Sequence, residues 1–265
     1  MKSMKCTVLI ENTTCQDDLH CEHGLSLYIE SKKHRILFDT GQSALFIDNA
    51  KTLGIDLAQI DTVIISHGHY DHGGGLLSFL KLNSHATVYL HETAFHRYYH
   101  GPEKYIGLDE RLQDSPRIKR ITEDFILDGE ISILCTAGKS EIVPVQSFGL
   151  SELKDGIHHP DQFDHEIVLM MKEKNQSILI SGCSHKGILN YVHWYRPDVL
   201  IGGFHLKKLH PADHQYELIS LAEILKKFST VYYTGHCTGE KQTELMKTVM
   251  KDQLHAIQSG SIIEI

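Results

Sequence analysis

The stretch Asp61-Thr62-Val63-Ile64-Ile65-Ser66-His67-Gly68-His69-Tyr70-Asp71-His72-Gly73-Gly74-Gly75 decides how this chain is read. The apolar run Val63-Ile64-Ile65 has the character of a buried strand, and three imidazoles and a carboxylate follow it within six residues. In an extended segment, residues two apart point to the same side, so His67 and His69 can grip one ion. Asp71 and His72 follow where the chain turns toward a helix, and one short loop can therefore serve two metals. The chain has twenty histidines, yet a histidine-rich surface loop explains neither the buried strand leading in nor the glycines leading out. Gly73, Gly74 and Gly75 are expected to let the backbone pass close to the ligands and take angles barred to other residues. Leu76, Leu77, Phe79 and Leu80 then begin an apolar helical face, which gives strand, ligand loop, helix.

The sequence on either side alternates strands and helices without a repeat of fixed period. Met1 to Ile10 reads as a first strand, Leu25 to Glu30 alternates at period two, and Arg35 to Phe38 is a buried run. The second half repeats the plan, with strands at Glu166 to Met171, Ser177 to Ile180 and Val199 to Ile201. Leu218, Leu221, Ala222, Leu225 and Phe228 mark one helical face and Leu245, Val249 and Ile257 another, before a last strand at Ser261 to Ile265. Residues 92–160 are the least orderly part. Phe95, Tyr98, Tyr99 and Tyr105 cluster there, either as an excursion packed on the body or as a lid over the metal site. The expectation is one domain, 1–265, with an insertion or lid at about 92–160.

The run His67, His69, Asp71, His72 satisfies His-x-His-x-Asp-His and resembles the metallo-β-lactamase superfamily. Flanking pieces agree in order and character: Leu37-Phe38-Asp39-Thr40-Gly41, Gly182-Cys183-Ser184-His185, Gly202-Gly203-Phe204-His205-Leu206 and Gly235-His236-Cys237-Thr238-Gly239. Within the superfamily these are most similar to the group named after 7,8-dihydropterin-6-methyl-4-(β-D-ribofuranosyl)aminobenzene 5′-phosphate synthase, a name that guides poorly to substrate. The resemblance spans nearly the whole chain and implies an α/β fold, the αββα sandwich of two mixed sheets flanked by helices.

The resemblance also implies a ligand set. His236 matches the last metal histidine and would join Asp71 and His72 on a second ion. Cys183 stands where most of the superfamily has an aspartate bridging both ions. A thiolate is a good zinc ligand, so Cys183 either binds an ion or simply packs. The usual third histidine of the first ion has no clean motif upstream, and its role is expected to fall to His185, with His165 and Asp161 in reserve. Asp39 looks like the acid that holds a ligand imidazole in the correct tautomer. His205 matches histidines that contact the scissile group in phosphodiesterase branches, with Lys207 and Lys208 beside it as solvated helix-start charges or as a positive field for an anionic ester.

Composition bounds the rest. A hydrophobic content of 41% supports a sizeable core. A net charge of −8 argues against an extended nucleic-acid surface. The apolar stretch near the N-terminus is too short for the centre of a signal peptide, and no segment approaches the ~18 apolar residues of a membrane helix. Six scattered cysteines show no small-domain disulfide pattern, so a cytoplasmic protein with reduced thiols is expected, its oligomeric state open. Two divalent ions lower the pKa of a bound water to ~7 and polarise an electrophile. The expected function is hydrolysis of a small anionic substrate, a phosphate ester or phosphodiester, with zinc preferred over iron or manganese, Asp71 positioning the nucleophile and His205 assisting the leaving group. Lactone, thioester or lactam hydrolysis, pterin-ribotide synthesis and ligand binding without turnover are the alternatives.

Overall fold

The computed structural model describes residues 4–265, so the part of the first strand expected at residues 1–3 lies outside the described residues. The first half runs β1 (Lys5–Ile10), β2 (Ser26–Glu30), β3 (Arg35–Phe38), α1 (Leu45–Thr52), β4 (Thr62–Ile64), α2 (Tyr70–Gly73), α3 (Leu76–Leu82) and β5 (Thr87–His91). A series of short strands follows: β6 (Arg97–His100), β7 (Lys104–Tyr105), β8 (Ile118–Ile121), β9 (Phe125–Ile126), β10 (Ile131–Cys135), β11 (Leu150–Lys154) and β12 (Ile157–Pro160). The second half runs β13 (Ile167–Glu173), β14 (Gln176–Ile180), α4 (Ile188–Tyr195), β15 (Val199–Ile201), α5 (Pro211–Leu225), β16 (Val231–Thr234), α6 (Glu240–Met250), β17 (Leu254–Ala256) and β18 (Ile262–Glu264).

Two seven-stranded sheets form the body, ordered β18-β1-β2-β3-β4-β5-β8 and β17-β16-β15-β14-β13-β10-β9. Each is mixed. The first is parallel from β3 to β8, with Phe38, Ile64 and Tyr89 in register, and the second is parallel from β14 to β17, with Ile180, Ile201 and Tyr233 in register. Alternation along the strands sends Phe38, Ile64, Leu169, Ile180 and Ile201 into a core between the sheets. The opposite faces carry Leu37 and Val63 against Phe46 and Phe79 of α1 and α3, and Leu179 and Leu200 against Val192, Leu218 and Met246 of α4, α5 and α6. Three apolar layers therefore separate four layers of structure, the αββα sandwich.

The stretch 92–160 is not a single insertion. β8 closes an edge of the first sheet and β9 and β10 extend the second, while β12-β11-β6-β7 form a separate four-stranded sheet. Propensity misread three other places. Ile257 follows β17 and packs between the sheets rather than on a helix. Phe228 lies beyond the end of α5, and that helix starts only at Pro211, leaving Lys207 and Lys208 in a loop. The three glycines after His72 are required for close approach, not for unusual angles: Gly74 and Gly75 have φ of −65° and −78°. A Cβ on Gly75 would meet the carbonyl oxygens of Thr40 and Ser43 at 2.4 Å. No helix among the described residues is long and apolar enough to cross a membrane.

Candidate metal centre

Parallel strands deliver their side chains to one end of the sandwich. Asp39 follows β3, the loop Ser66 to His69 follows β4, Cys183 and His185 follow β14, and His236 follows β16. His205 lies four residues past the end of β15. Asp39 at φ 60°, His205 at 52° and His236 at 51° have left-handed backbone, as does Ser184, between Cys183 and His185, at 53°. Such conformations cost ~1–3 kcal/mol each and persist where the surroundings over-determine them.

His67, His69 and His185 form a triangle, with ring centroids 4.6, 4.9 and 5.1 Å apart. The Nε2 atoms of His67 and His185 are 3.3 Å apart. On the other side, His72 Nε2 lies 3.2 Å from His236 Nε2 and 3.9 Å from Asp71 Oδ2, and Asp71 Oδ2 is 3.3 Å from His236 Nε2. Cys183 sits between the two groups: its sulfur lies within 4.8 Å of donors from His67 and His185, and also of donors from His72 and His236. The structure brings every expected ligand to one end of the sandwich.

Hydrogen bonds fix which nitrogen faces inward for His67, His72 and His236. Ser66 donates through both its N–H and its hydroxyl to Asp39, at 2.7 Å each. The hydroxyl must then accept from His67 Nδ1–H at 2.8 Å, which leaves Nε2 of His67 as the free acceptor. His72 Nδ1–H donates to Asp39 Oδ2 at 2.6 Å, and His236 Nδ1–H donates to Asn12 Oδ1 at 2.9 Å. Both Nε2 atoms turn toward the centre. His165 is differently engaged: its Nδ1 accepts from Gly68 N–H at 2.9 Å and its Nε2–H donates to Asp161 at 3.1 Å. Neither ring nitrogen is left for an ion, and Asp161, 3.9 Å from His69 Nε2, is occupied by the same bond.

Converging lone pairs make the site suited to cations. Burial and neighbouring imidazoles hold His67 and His185 well below the usual histidine range, and burial lowers His69. These rings stay neutral and able to ligate. Asp71 is largely shielded from solvent, which alone would raise its pKa, but His72, His23 and His236 outweigh this and hold it ionised. Burial, reinforced by Cys237, pushes the Cys183 thiol up, so its thiolate requires a cation nearby. Among the described residues, the buried nitrogens His69 Nε2, His185 Nδ1 and His205 Nδ1 lack hydrogen-bond partners. Buried polar atoms are rarely left so, and a donor set of imidazoles, a carboxylate and a thiol fits zinc or iron.

The sequence matches the family described as the metallo-beta-lactamase superfamily over residues 21–184. The chain belongs to the metallo-β-lactamase superfamily. It is 31% identical, over 92% of its length and 90% of the relative, to 7,8-dihydropterin-6-methyl-4-(β-D-ribofuranosyl)-aminobenzene-5′-phosphate synthase of Methanocaldococcus jannaschii. An uncharacterised protein of the same organism is 30% identical over 88% of this chain and 90% of its own. Among solved structures, Tm1679, described as a metal-dependent hydrolase of the β-lactamase superfamily, superposes with a TM-score of 0.81 at 30% identity over 99% of each chain.

Four residues of this metallo-β-lactamase site escaped sequence reasoning. Glu11 and Asn12, at the end of β1, receive the backbone N–H and the Nδ1–H of His236. Their only local mark is a polar pair directly after an apolar strand, which names no partner. Glu166, just before β13, is fully buried beneath His185 and accepts from its N–H at 2.9 Å and from the Tyr191 hydroxyl. Burial raises its pKa despite these donors. His23 Nε2, from the loop before β2, reaches Asp71 Oδ2 at 3.2 Å.

Proposed function

We propose that this chain hydrolyses small phosphate esters or phosphodiesters, using two divalent ions, with zinc preferred over iron or manganese. The observation that carries the reading is a cavity of about 390 Å³ over the donor set. Lys104, Lys207 and Lys208 line it, with Asp71 its one acid among the described residues. The positive field is felt locally: besides burial, Lys208 and Lys104 lower the pKa of His100. In a chain of net charge −8, a cationic cavity favours an anionic substrate.

His67, His69 and His185 would hold one ion and Asp71, His72 and His236 the other, with Cys183 shared. Bound there, the ions would supply activated water and an electrostatic clamp on the ester. The chain does the rest. Asp71 orients the nucleophile through the oxygen that faces His236. His205 projects a ring 4.1 Å from His185, with Nδ1 free of any partner among the described residues, and can hand a proton to the leaving oxygen. Phe148 and Leu150 line the outer part of the cavity from the β6-β7-β11-β12 sheet and the turn before it. They act as a fixed lid that excludes bulk water.

The M. jannaschii relative is named a synthase of a 5′-phosphate product, so a phosphate-bearing pterin ribotide is a second ligand to try in the same cavity. The test is metal analysis of protein purified without a histidine tag, then a screen of phosphodiesters, phosphomonoesters, lactones and thioesters. Turnover is expected with phosphate esters. Turnover confined to lactones or thioesters overturns the substrate assignment, and protein that takes up no divalent ion overturns the whole reading.

A further inference from the structure

The loop before β2 brings a histidine to the centre that the His-x-His-x-Asp-His run does not include. We propose that His23 is a protein ligand of the ion held by Asp71, His72 and His236, an inference that rests on the metal-centre reading above.

Three observations carry it. Donor atoms of His23, Asp71 and His236 all lie within 4.8 Å of one another, with His23 Nε2 at 3.2 Å from Asp71 Oδ2. The ring packs on His236 at a centroid distance of 4.8 Å, so both imidazoles border the same space. The loop itself is anchored: Glu22 accepts from Gln42 N–H at 3.1 Å and from Ser43 N–H at 3.0 Å, and Glu22 N–H donates to Glu11 at 3.1 Å. Gly24 passes so close to Asp71 that a Cβ there would meet its carbonyl oxygen at 2.6 Å. The ring is thus delivered by a loop tied both to the β1 end that orients His236 and to the backbone of Asp71.

The consequence is an asymmetric pair of sites. One ion receives three imidazoles from His67, His69 and His185. The other would receive three imidazoles, from His23, His72 and His236, and the Asp71 carboxylate, four protein donors before Cys183 is counted. Closed zinc sites serve to hold the ion, whereas sites with three protein ligands keep a position for water or substrate. His23 would give the second ion one more protein ligand than the first and make it the more tightly held of the two.

The experiment uses the full chain loaded with Co(II), with no substrate needed. Each ligated imidazole keeps one N–H, so proton NMR in water counts ligated rings through shifted exchangeable resonances. Affinities of the two binding steps come from competition with a chromophoric chelator. His23→Ala should lose one shifted resonance and weaken the tighter step about tenfold or more, at least the loss typical of disturbing a ligand's support, with the weaker step unchanged. His23→Gln separates ligation from a mere hydrogen bond to Asp71, because its amide can donate that bond but supplies no imidazole nitrogen. The proposal stands if Gln behaves like Ala. It falls if Gln restores wild-type affinity, or if His23→Ala keeps every resonance and both affinities; wild-type protein that binds two ions in those cases leaves the metal-centre reading intact. Wild-type protein that binds no Co(II) sinks both.

Discussion

Asp39 concentrates most of the organisation of the site in one carboxylate. It takes both Ser66 donors and His72 Nδ1–H, and through Ser66 it also sets the tautomer of His67. Asp39→Asn keeps the shape and removes the charge. Metal affinity is expected to drop ~10–100-fold, read by chelator competition, with little change in far-UV circular dichroism. The same carboxylate sets a pH dependence. Burial would lower the His72 pKa, but Asp39 and Asp71 outweigh it and push it up to about 9. A folded-state pKa above the unfolded value of ~6.5 means stability from this charge is full below pH 6.5 and is lost as pH rises through about 9. Urea unfolding of chelator-treated protein should show that loss between pH 6.5 and 9.5, and Asp39→Asn should flatten it. A difference between the two proteins that grows with pH would contradict the assignment. His205 is separable from the ligands: His205→Ala should retain metal content yet lower kcat on bis(p-nitrophenyl) phosphate ~10²-fold. Lost metal would make His205 a ligand, and an unchanged kcat would make it structural.

Elements, more than single side chains, decided which parts of the molecule could be read in advance. The His67 to His72 run was legible because its ligands are neighbours in sequence and the strand and helix on either side are strongly patterned. His185 and His236 were legible because they follow apolar strands. His23, Glu11, Asn12 and Glu166 were not, because their roles arise from long-range juxtaposition: Asn12 and His236 are 224 positions apart. The strands within 92–160 were hard to place for a related reason. β8, where Lys119 and Arg120 are exposed and only Ile121 is buried, and β9, only two residues long, are edge strands with too little alternation to announce that they complete the main sheets. The junction of α2 and α3 offers the test at this scale. Gly75 is wedged against Thr40 and Ser43 carbonyls and the Phe46 ring, all within 2.6 Å of where a Cβ would sit. Gly75→Ala must push α3 off β3 and α1, and overpacking of this kind costs ~1–3 kcal/mol. A lower urea midpoint with an unchanged slope is expected, and an unchanged midpoint would show that the close approach is not required.

At the scale of the whole molecule, two charge distributions oppose each other. The chain carries −8 overall, which repels an anion in bulk, while Lys104, Lys207 and Lys208 converge on the cavity above the donors. The lysines come from two separate parts of the chain: Lys104 from the four-stranded sheet and Lys207 and Lys208 from the loop between β15 and α5. Only the assembled fold creates the positive mouth. At ~0.15 M salt, charges more than ~8 Å apart are largely screened, so net repulsion fades with salt faster than contacts inside the cavity. Exposed charge contacts contribute ~0.2–1 kcal/mol each, and three together amount to about tenfold in kcat/KM at 1.4 kcal/mol per decade. Replacing all three lysines by Gln should therefore lower kcat/KM for a phosphate ester about tenfold, mainly through KM, by more at 20 mM salt than at 500 mM. Turnover of a neutral lactone, if the enzyme accepts one, should not change. If the triple variant treats charged and neutral substrates alike, the cavity does not select for charge, and a carbonyl substrate replaces the phosphate ester as the better reading of the site.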